Sequence, residues 1–170
     1  MSRDPQMFIF DEAVAFTLKW EGDLSDDKDD PGGLTRYGIS HKAHPEIDIA
    51  NLTIEQAKEI YYHSYWLAGS CDDLPKKTAI AHFDACVNCG IARATKFLQK
   101  ALRVTEDGVF GPVTHKTAIK SDDTELAREC IEYRKMFYEI LASKHQHLHI
   151  FLNGWLNRVR DLEMYVGVNK

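Results

Sequence analysis

No apolar run in these 170 residues approaches the ~20 residues that a bilayer-spanning helix needs. The first residues offer no signal-peptide core either, because Asp4, Asp11 and Glu12 interrupt the apolar stretch around Phe8–Phe10. The expectation is a protein made in the cytoplasm without a signal peptide and without stable membrane insertion. Basic clusters are missing as well. The formal net charge is −5, which argues against nucleic acid as the partner, since phosphate binding needs grouped Lys and Arg. The four cysteines, Cys71, Cys86, Cys89 and Cys130, have no regular spacing, and a chain this long needs no disulfide framework to fold. Reduced, mostly buried thiols are expected. Neither an internal repeat nor a low-complexity tract is visible.

What the chain does have is helical periodicity over most of its length. Asp4 and Pro5 read as the cap and first position of a helix. Phe10, Ala13, Val14, Thr17 and Leu18 form its buried stripe, which ends near Trp20. Thr53 and Gln56 fit a capping box that starts a second helix, with Ala57, Ile60 and Tyr61 inward. Residues 70–75 break it. Residues 76–89 follow as a helix with Ala79, Ile80, Phe83 and Val87 inward, and residues 92–102 as another with Ala94, Phe97, Leu98 and Ala101 inward. A turn around Gly108, Gly111 and Pro112 precedes a short helix to about Lys120. A long helix to about Ser143 carries Leu126, Cys130, Tyr133, Phe137 and Ile140 in register, and residues 151–165 close the chain. The fold class expected is mainly α.

Residues 21–40 differ in kind. They hold five aspartates, four glycines and one proline with no helical period, which reads as a long loop with a short β-hairpin near Leu34–Ile39. Loops of this length inside compact domains are usually functional. Glu21 stands where the first helix meets this loop, after Trp20 and before Gly22. A carboxyl held there against apolar walls would keep its proton and could act as a general acid. An ordinary solvated glutamate at a helix end is the plainer alternative. The spacing downstream favours chemistry: Asp30 lies nine positions on and Thr35 five further, across a Gly-rich turn. Glycosidic cleavage needs an acid on the leaving oxygen and a second group that steadies the cationic centre or activates water.

Other signals carry less. Asp27, Asp29 and Gly32 sit at EF-hand positions, but the bidentate acid falls on Gly38, so no metal is expected. Cys86 and Cys89 lack the second pair of a zinc ribbon. His145, His147 and His149 would splay around a helix. Asp84 and Asn88 share a helix face and either line a cleft or tie neighbouring turns together. Tyr37 and Trp66 are candidates for sugar stacking or for plain core.

The run Trp20-Glu21-Gly22, then Asp30-Pro31-Gly32-Gly33, then Thr35 and Tyr37-Gly38-Ile39, resembles the signature of glycoside hydrolase family 108. These are N-acetylmuramidases that include phage endolysins and secretion-activator muramidases. Tyr61 and Tyr65-Trp66 resemble the family's aromatic segment. Phe83-Asp84, Val87-Asn88, Phe97-Leu98-Gln99, Phe110-Gly111-Pro112, Gly154-Trp155 and Arg158 resemble its associated peptidoglycan-binding part. The chain departs from the pattern at Asp23, where a second glycine is common, and at Cys86 and Cys89, where small non-thiol residues are expected. Asp29 rather than Asp30 would restore the Asp-to-Thr interval of phage-type lysozymes, and that choice stays open.

The resemblance implies a lysozyme-like helical fold with a flap after the catalytic helix. It implies a hydrolase part over residues 1–80 and a peptidoglycan-binding part over 81–170, packed into one globule. The substrate would be peptidoglycan glycan strands, cut between N-acetylmuramic acid and N-acetylglucosamine. Glu21 would be the general acid, Asp30 and Thr35 its assistants, and Tyr37, Trp66, Asp84 and Asn88 the substrate-binding residues. No cofactor is implied, and a monomer is expected. A holin or an export system would bring the enzyme to the periplasm or wall. The acidic balance gives no long-range attraction to an acidic substrate, so local contacts must do the binding. A lytic transglycosylase, or a non-catalytic wall-binding protein that assists secretion, are the competing readings.

Overall fold

The computed structural model describes residues 5–22 and 34–169. Seven α-helices and one two-stranded hairpin make up the regular structure of these residues. Helix α1 spans Pro5–Glu21, α2 Ile54–Tyr61, α3 Lys76–Cys89, α4 Ile91–Ala101, α5 Pro112–Ala118, α6 Asp123–Lys144 and α7 His149–Val166. Strands β1 (Thr35–Arg36) and β2 (Ile39–Ser40) pair antiparallel, with Arg36 opposite Ile39. The mainly α class is thus the one the periodicity predicts, and the lysozyme-like architecture with a hairpin is the one the family resemblance implies.

Local chemistry explains several boundaries. Thr53 Oγ1 accepts from the Gln56 amide at 3.2 Å while Gln56 Oε1 accepts from the Thr53 amide at 2.9 Å, so both halves of the capping box form. At the end of α2 the chain enters a turn of π-helix over Tyr62–Leu67, a local widening that often marks functional sites. Asp122 caps α6 through the Glu125 amide. The histidine-rich break is a 3₁₀ turn over Gln146–Leu148, and His149 already belongs to α7. The glycine-rich turn before α5 is tied by Gln99, which donates to the Asp107 carboxylate and the Val109 carbonyl and accepts from the Gly108 amide.

Helix α3 is the axis of the fold. Every residue from Thr78 to Cys86 is buried, whereas the sequence periodicity predicts a single inward stripe. The reason is its neighbours: α1, α4, α6 and α7 all pack on it, so no face is left for solvent. A division at residue 80 falls within this unbroken helix.

Helix α6 departs from its predicted register. Leu126 and Cys130 are buried as expected, but the buried face then continues through Ile131, Arg134, Tyr138 and Ala142. Tyr133 and Phe137 are only half-buried, and Ile140 is 49% exposed. The apolar stripe read as core lies instead beside the core, on a surface shared with α4.

Trp66 is also placed differently from the sugar-facing role considered for it. It has no exposed surface. Its ring packs edge-on to Phe10 at 5.5 Å and Phe83 at 5.6 Å, and its indole N–H donates to Asp72. Burial of so large a ring is a major part of the core's hydrophobic stabilisation. Of the cysteines, Cys71, Cys86 and Cys130 are buried, Cys89 is half-buried, and all four are free.

Candidate active site

Glu21 is the last residue of α1, and its side chain is 20% exposed. The hairpin turn lies against it. Tyr37 and Gly38 form this two-residue turn with φ of 51° and 74°, the paired left-handed geometry that tight hairpins prefer. Gly38 is required here for space as well as for backbone. A methyl group at that position would lie 2.8 Å from Glu21 Oε2 and 2.6 Å from the Tyr61 hydroxyl. Tyr37 takes a backbone conformation uncommon for an aromatic residue, and the Tyr61 hydroxyl donates to its carbonyl at 2.8 Å. Burial, and after it the nearby Glu21 carboxylate, pushes the Tyr61 phenol far up, which keeps the proton that makes this bond.

The other carboxylate oxygen faces a cation rather than the apolar wall that the sequence suggested. Arg158 Nη1 of α7 donates to Glu21 Oε1 at 2.7 Å. The same guanidinium grips Asp84 of α3, with Nη2 to Oδ1 at 2.6 Å and Nε to Oδ2 at 3.1 Å. Asp84 also accepts from Arg134 Nη1 at 2.7 Å and from the Thr17 hydroxyl at 2.9 Å. Burial alone would push the Asp84 carboxyl up, but Arg134 and Arg158 outweigh it and hold it at about 2. Arg134 Nε in turn donates to the Tyr138 hydroxyl at 2.9 Å, and that hydroxyl donates to Asn88. A chain of polar contacts therefore runs from the interior to the mouth at Glu21.

The predicted site residues are distributed as follows. Glu21 and Tyr37 meet at the hairpin turn through Gly38, with Thr35 on the adjoining strand. Tyr37 is half-buried, with the Arg36 guanidinium 5.2 Å from its ring centre. Asp29 and Asp30 lie outside the described residues. Asp84 is buried and spoken for by two arginines and a threonine, so it supports the site from behind and lines no cleft. Asn88 is exposed and reaches the same network through Tyr138. Trp66 belongs to the core. The residues missing from the sequence reading of the site are Arg158, Arg134, Thr17, Tyr61 and Gly38. Two charged residues, Arg134 and Arg158, each adjoining an apolar position of its helix, were the available signal, because buried charges require partners.

Trp20, next to Glu21, is turned towards α7, where its indole N–H and the Lys19 ammonium both donate to Asp161 at 2.9 Å. This contact fixes the end of α1 against α7 one turn from Arg158. Tyr65 stands 5.7 Å from Tyr61 between ring centres. Burial first and Glu21 second push its phenol up. A carboxylate, a guanidinium and two protonated phenols thus converge at one end of α1.

Residues 14–90 match the glycosyl hydrolase 108 family, and residues 93–160 match the family described as a predicted peptidoglycan domain. The first of these stretches belongs to glycosyl hydrolase family 108. A solved structure, that of Brucella abortus SagA, matches with a TM-score of 0.81 at 29% identity, over 94% of each chain. No curated protein matches. As a glycosyl hydrolase 108 protein with a peptidoglycan domain, it is a peptidoglycan hydrolase. The polar network joins the two matched stretches: Thr17, Glu21 and Asp84 fall in the first, Arg134 and Arg158 in the second. Glu21, in the stretch matching glycosyl hydrolase 108, is therefore held by a side chain from the stretch matching the peptidoglycan domain.

Proposed function

We propose that this protein is an N-acetylmuramidase that hydrolyses the β-1,4 bond between N-acetylmuramic acid and N-acetylglucosamine, with Glu21 as general acid. The observation that carries the proposal is the setting of Glu21: a partly exposed carboxyl beneath a hairpin turn, fixed in direction by Arg158. In this reading Glu21 gives its proton to the bridging oxygen, and Arg158 steadies the carboxylate left behind. Thr35, and Asp30 or Asp29 from the aspartate-rich loop, serve the opposite face of the sugar by positioning water or steadying positive charge. Tyr37 is placed to contact a sugar at the turn. The protein acts on the wall after a holin or an export system has brought it there.

Replacing Glu21 with Gln keeps the shape and removes the proton. Lysis of purified sacculi should fall by about 10²- to 10⁴-fold, with the melting temperature nearly unchanged. Retained lysis would remove Glu21 from the mechanism. Mass spectrometry of the products addresses the nearest alternative: reducing ends mark a hydrolase, whereas 1,6-anhydro ends would mark a lytic transglycosylase.

A further inference from the structure

A second concave surface lies between α4 and α6, with a volume of about 370 Å³, within the range of ligand-binding clefts. Its floor is aromatic, from Phe97 on α4 and Tyr133 and Phe137 on α6. Met136 and Ile140 extend that floor, 46% and 49% exposed. This is the stripe of α6 that periodicity assigns to the core. Here it is left open beside the core.

The rim is cationic. Arg93, Lys96 and Lys100 stand on α4 and Lys144 on α6, against the one carboxylate of Glu106. Two of these cations are held over the floor: the Arg93 guanidinium 4.9 Å from the Phe137 ring centre, and the Lys100 ammonium 4.8 Å from that of Tyr133. A chain of net charge −5 has thus gathered four positive side chains around one apolar groove. All the residues lining it fall within 93–160, the stretch matching the predicted peptidoglycan domain.

We propose that this groove binds the short acidic peptides that hang from peptidoglycan glycan strands. The inference rests on the reading of the protein as a peptidoglycan hydrolase and adds to it a site separate from Glu21. Where a peptide is attached, the muramic lactyl carboxyl is tied up in its amide, so the glycan itself is a neutral, hydroxyl-rich ladder that gains little from four cations. Stem peptides alternate methyl groups with carboxylates, which matches an apolar floor between cationic walls. Binding here would supply the local attraction to an acidic polymer that the overall charge of the protein does not.

The test uses the full chain. Arg93→Glu, Lys100→Glu and Lys144→Glu are combined, all three being exposed, and the melting temperature verifies folding. Co-sedimentation is measured with intact sacculi, in competition with soluble stem peptide or with a neutral, peptide-free oligosaccharide of N-acetylglucosamine. The expected result is that soluble stem peptide, and not the oligosaccharide, displaces the unaltered protein, and that the triple variant loses about tenfold or more in affinity for intact sacculi at low salt. Lys100→Arg should bind as the unaltered protein does. Equal binding by the triple variant and the unaltered protein would overturn the proposal. Displacement by the oligosaccharide and not by the peptide would overturn it in favour of glycan, and binding of the unaltered protein to anionic lipid vesicles without binding to soluble stem peptide would overturn it in favour of a membrane surface. Hydrolysis of a peptide-free oligosaccharide of N-acetylglucosamine and N-acetylmuramic acid should be unchanged in the triple variant. Failure of the unaltered protein to cut that oligosaccharide would count against the proposed activity and leave the binding result standing.

Discussion

Arg158 holds two carboxylates, and their surroundings are opposed. On one side is Asp84, 1% exposed, bonded to a second arginine and to Thr17. On the other is Glu21, 20% exposed, with one arginine and a hairpin turn for company. Asp84 has its acceptor sites occupied and no route to a substrate. Glu21 keeps an exposed edge. The same guanidinium therefore serves as a structural clamp at its inner end and as a pointing device at its outer end. The outer carboxylate is left incompletely satisfied, in a position where its buried counterpart supplies the rigidity.

Removing the inner carboxylate breaks this comparison most severely. In Asp84→Asn, Arg134 would lie buried without a counter-charge and Arg158 would keep only Glu21, a defect worth about 3–5 kcal/mol. Urea or thermal unfolding should show that loss, and lysis of sacculi should fall with it because Arg158 is no longer fixed. The unaltered protein supplies a pH test of the same contact. The folded-state carboxyl of Asp84 is depressed to about 2 from an ordinary 3.8, so its contribution is complete above about pH 4 and lost as the pH falls towards 2. The difference corresponds to about 2 kcal/mol. Stability measured between pH 5 and pH 2 should show this component in the unaltered protein and lack it in Asp84→Asn.

The outer end of the clamp was largely legible in the sequence, and the inner end was not. Glu21 stands at a boundary where helical periodicity stops and a Gly- and Asp-rich loop begins, so its place at the end of α1 follows from the pattern. The hairpin near Leu34–Ile39 followed from the Gly- and Asp-rich stretch without helical period, and the start of α2 from its capping box. Asp84 was open to two readings, cleft wall or tie between neighbouring turns, because periodicity gives the face of one helix, not the number of helices that surround it. With neighbours on every side of α3, the exposed face assumed for Asp84 does not exist. Arg134 sits one position from Tyr133, and Arg158 one position from Val159. In each case the apolar stripe was extrapolated past a charge that is itself buried. Three buried charges from helices far apart in sequence satisfy one another, and that cannot be seen one helix at a time. The same error of register hid the α4–α6 groove behind a stripe that looked like core.

A smaller effect is expected from weakening the clamp while keeping its charge. Lys in place of Arg158 has a single ammonium and no planar fork, so it cannot bond both oxygens of Asp84 and Glu21 together. The charge balance in the interior survives, but the direction of Glu21 does not. A fall of about 10- to 100-fold in kcat on sacculi is expected, with KM changed little. A change confined to KM would show that Arg158 contacts substrate and does not position Glu21.

The mildest change acts on the outer carboxylate alone. In Gly38→Ala the added methyl would overlap the Tyr61 hydroxyl and Glu21 Oε2 and would sit at φ of +74°. Gly90→Ala at the α3–α4 junction is its control. That glycine has φ of +83°, and no described atom lies within 4 Å of the added methyl. Gly38→Ala carries a left-handed backbone cost of about 1–2 kcal/mol, whereas Gly90, with ψ of 150°, sits in a region that glycine alone occupies freely, so the melting temperature should fall at least as far in Gly90→Ala. Only Gly38→Ala displaces the acid, and only it should lose about tenfold or more in sacculus lysis, since small misplacements of a reacting group are costly. Equal activity in the two variants would mean that the turn does not determine where Glu21 points. The exposed end of the clamp would then depend on Arg158 alone.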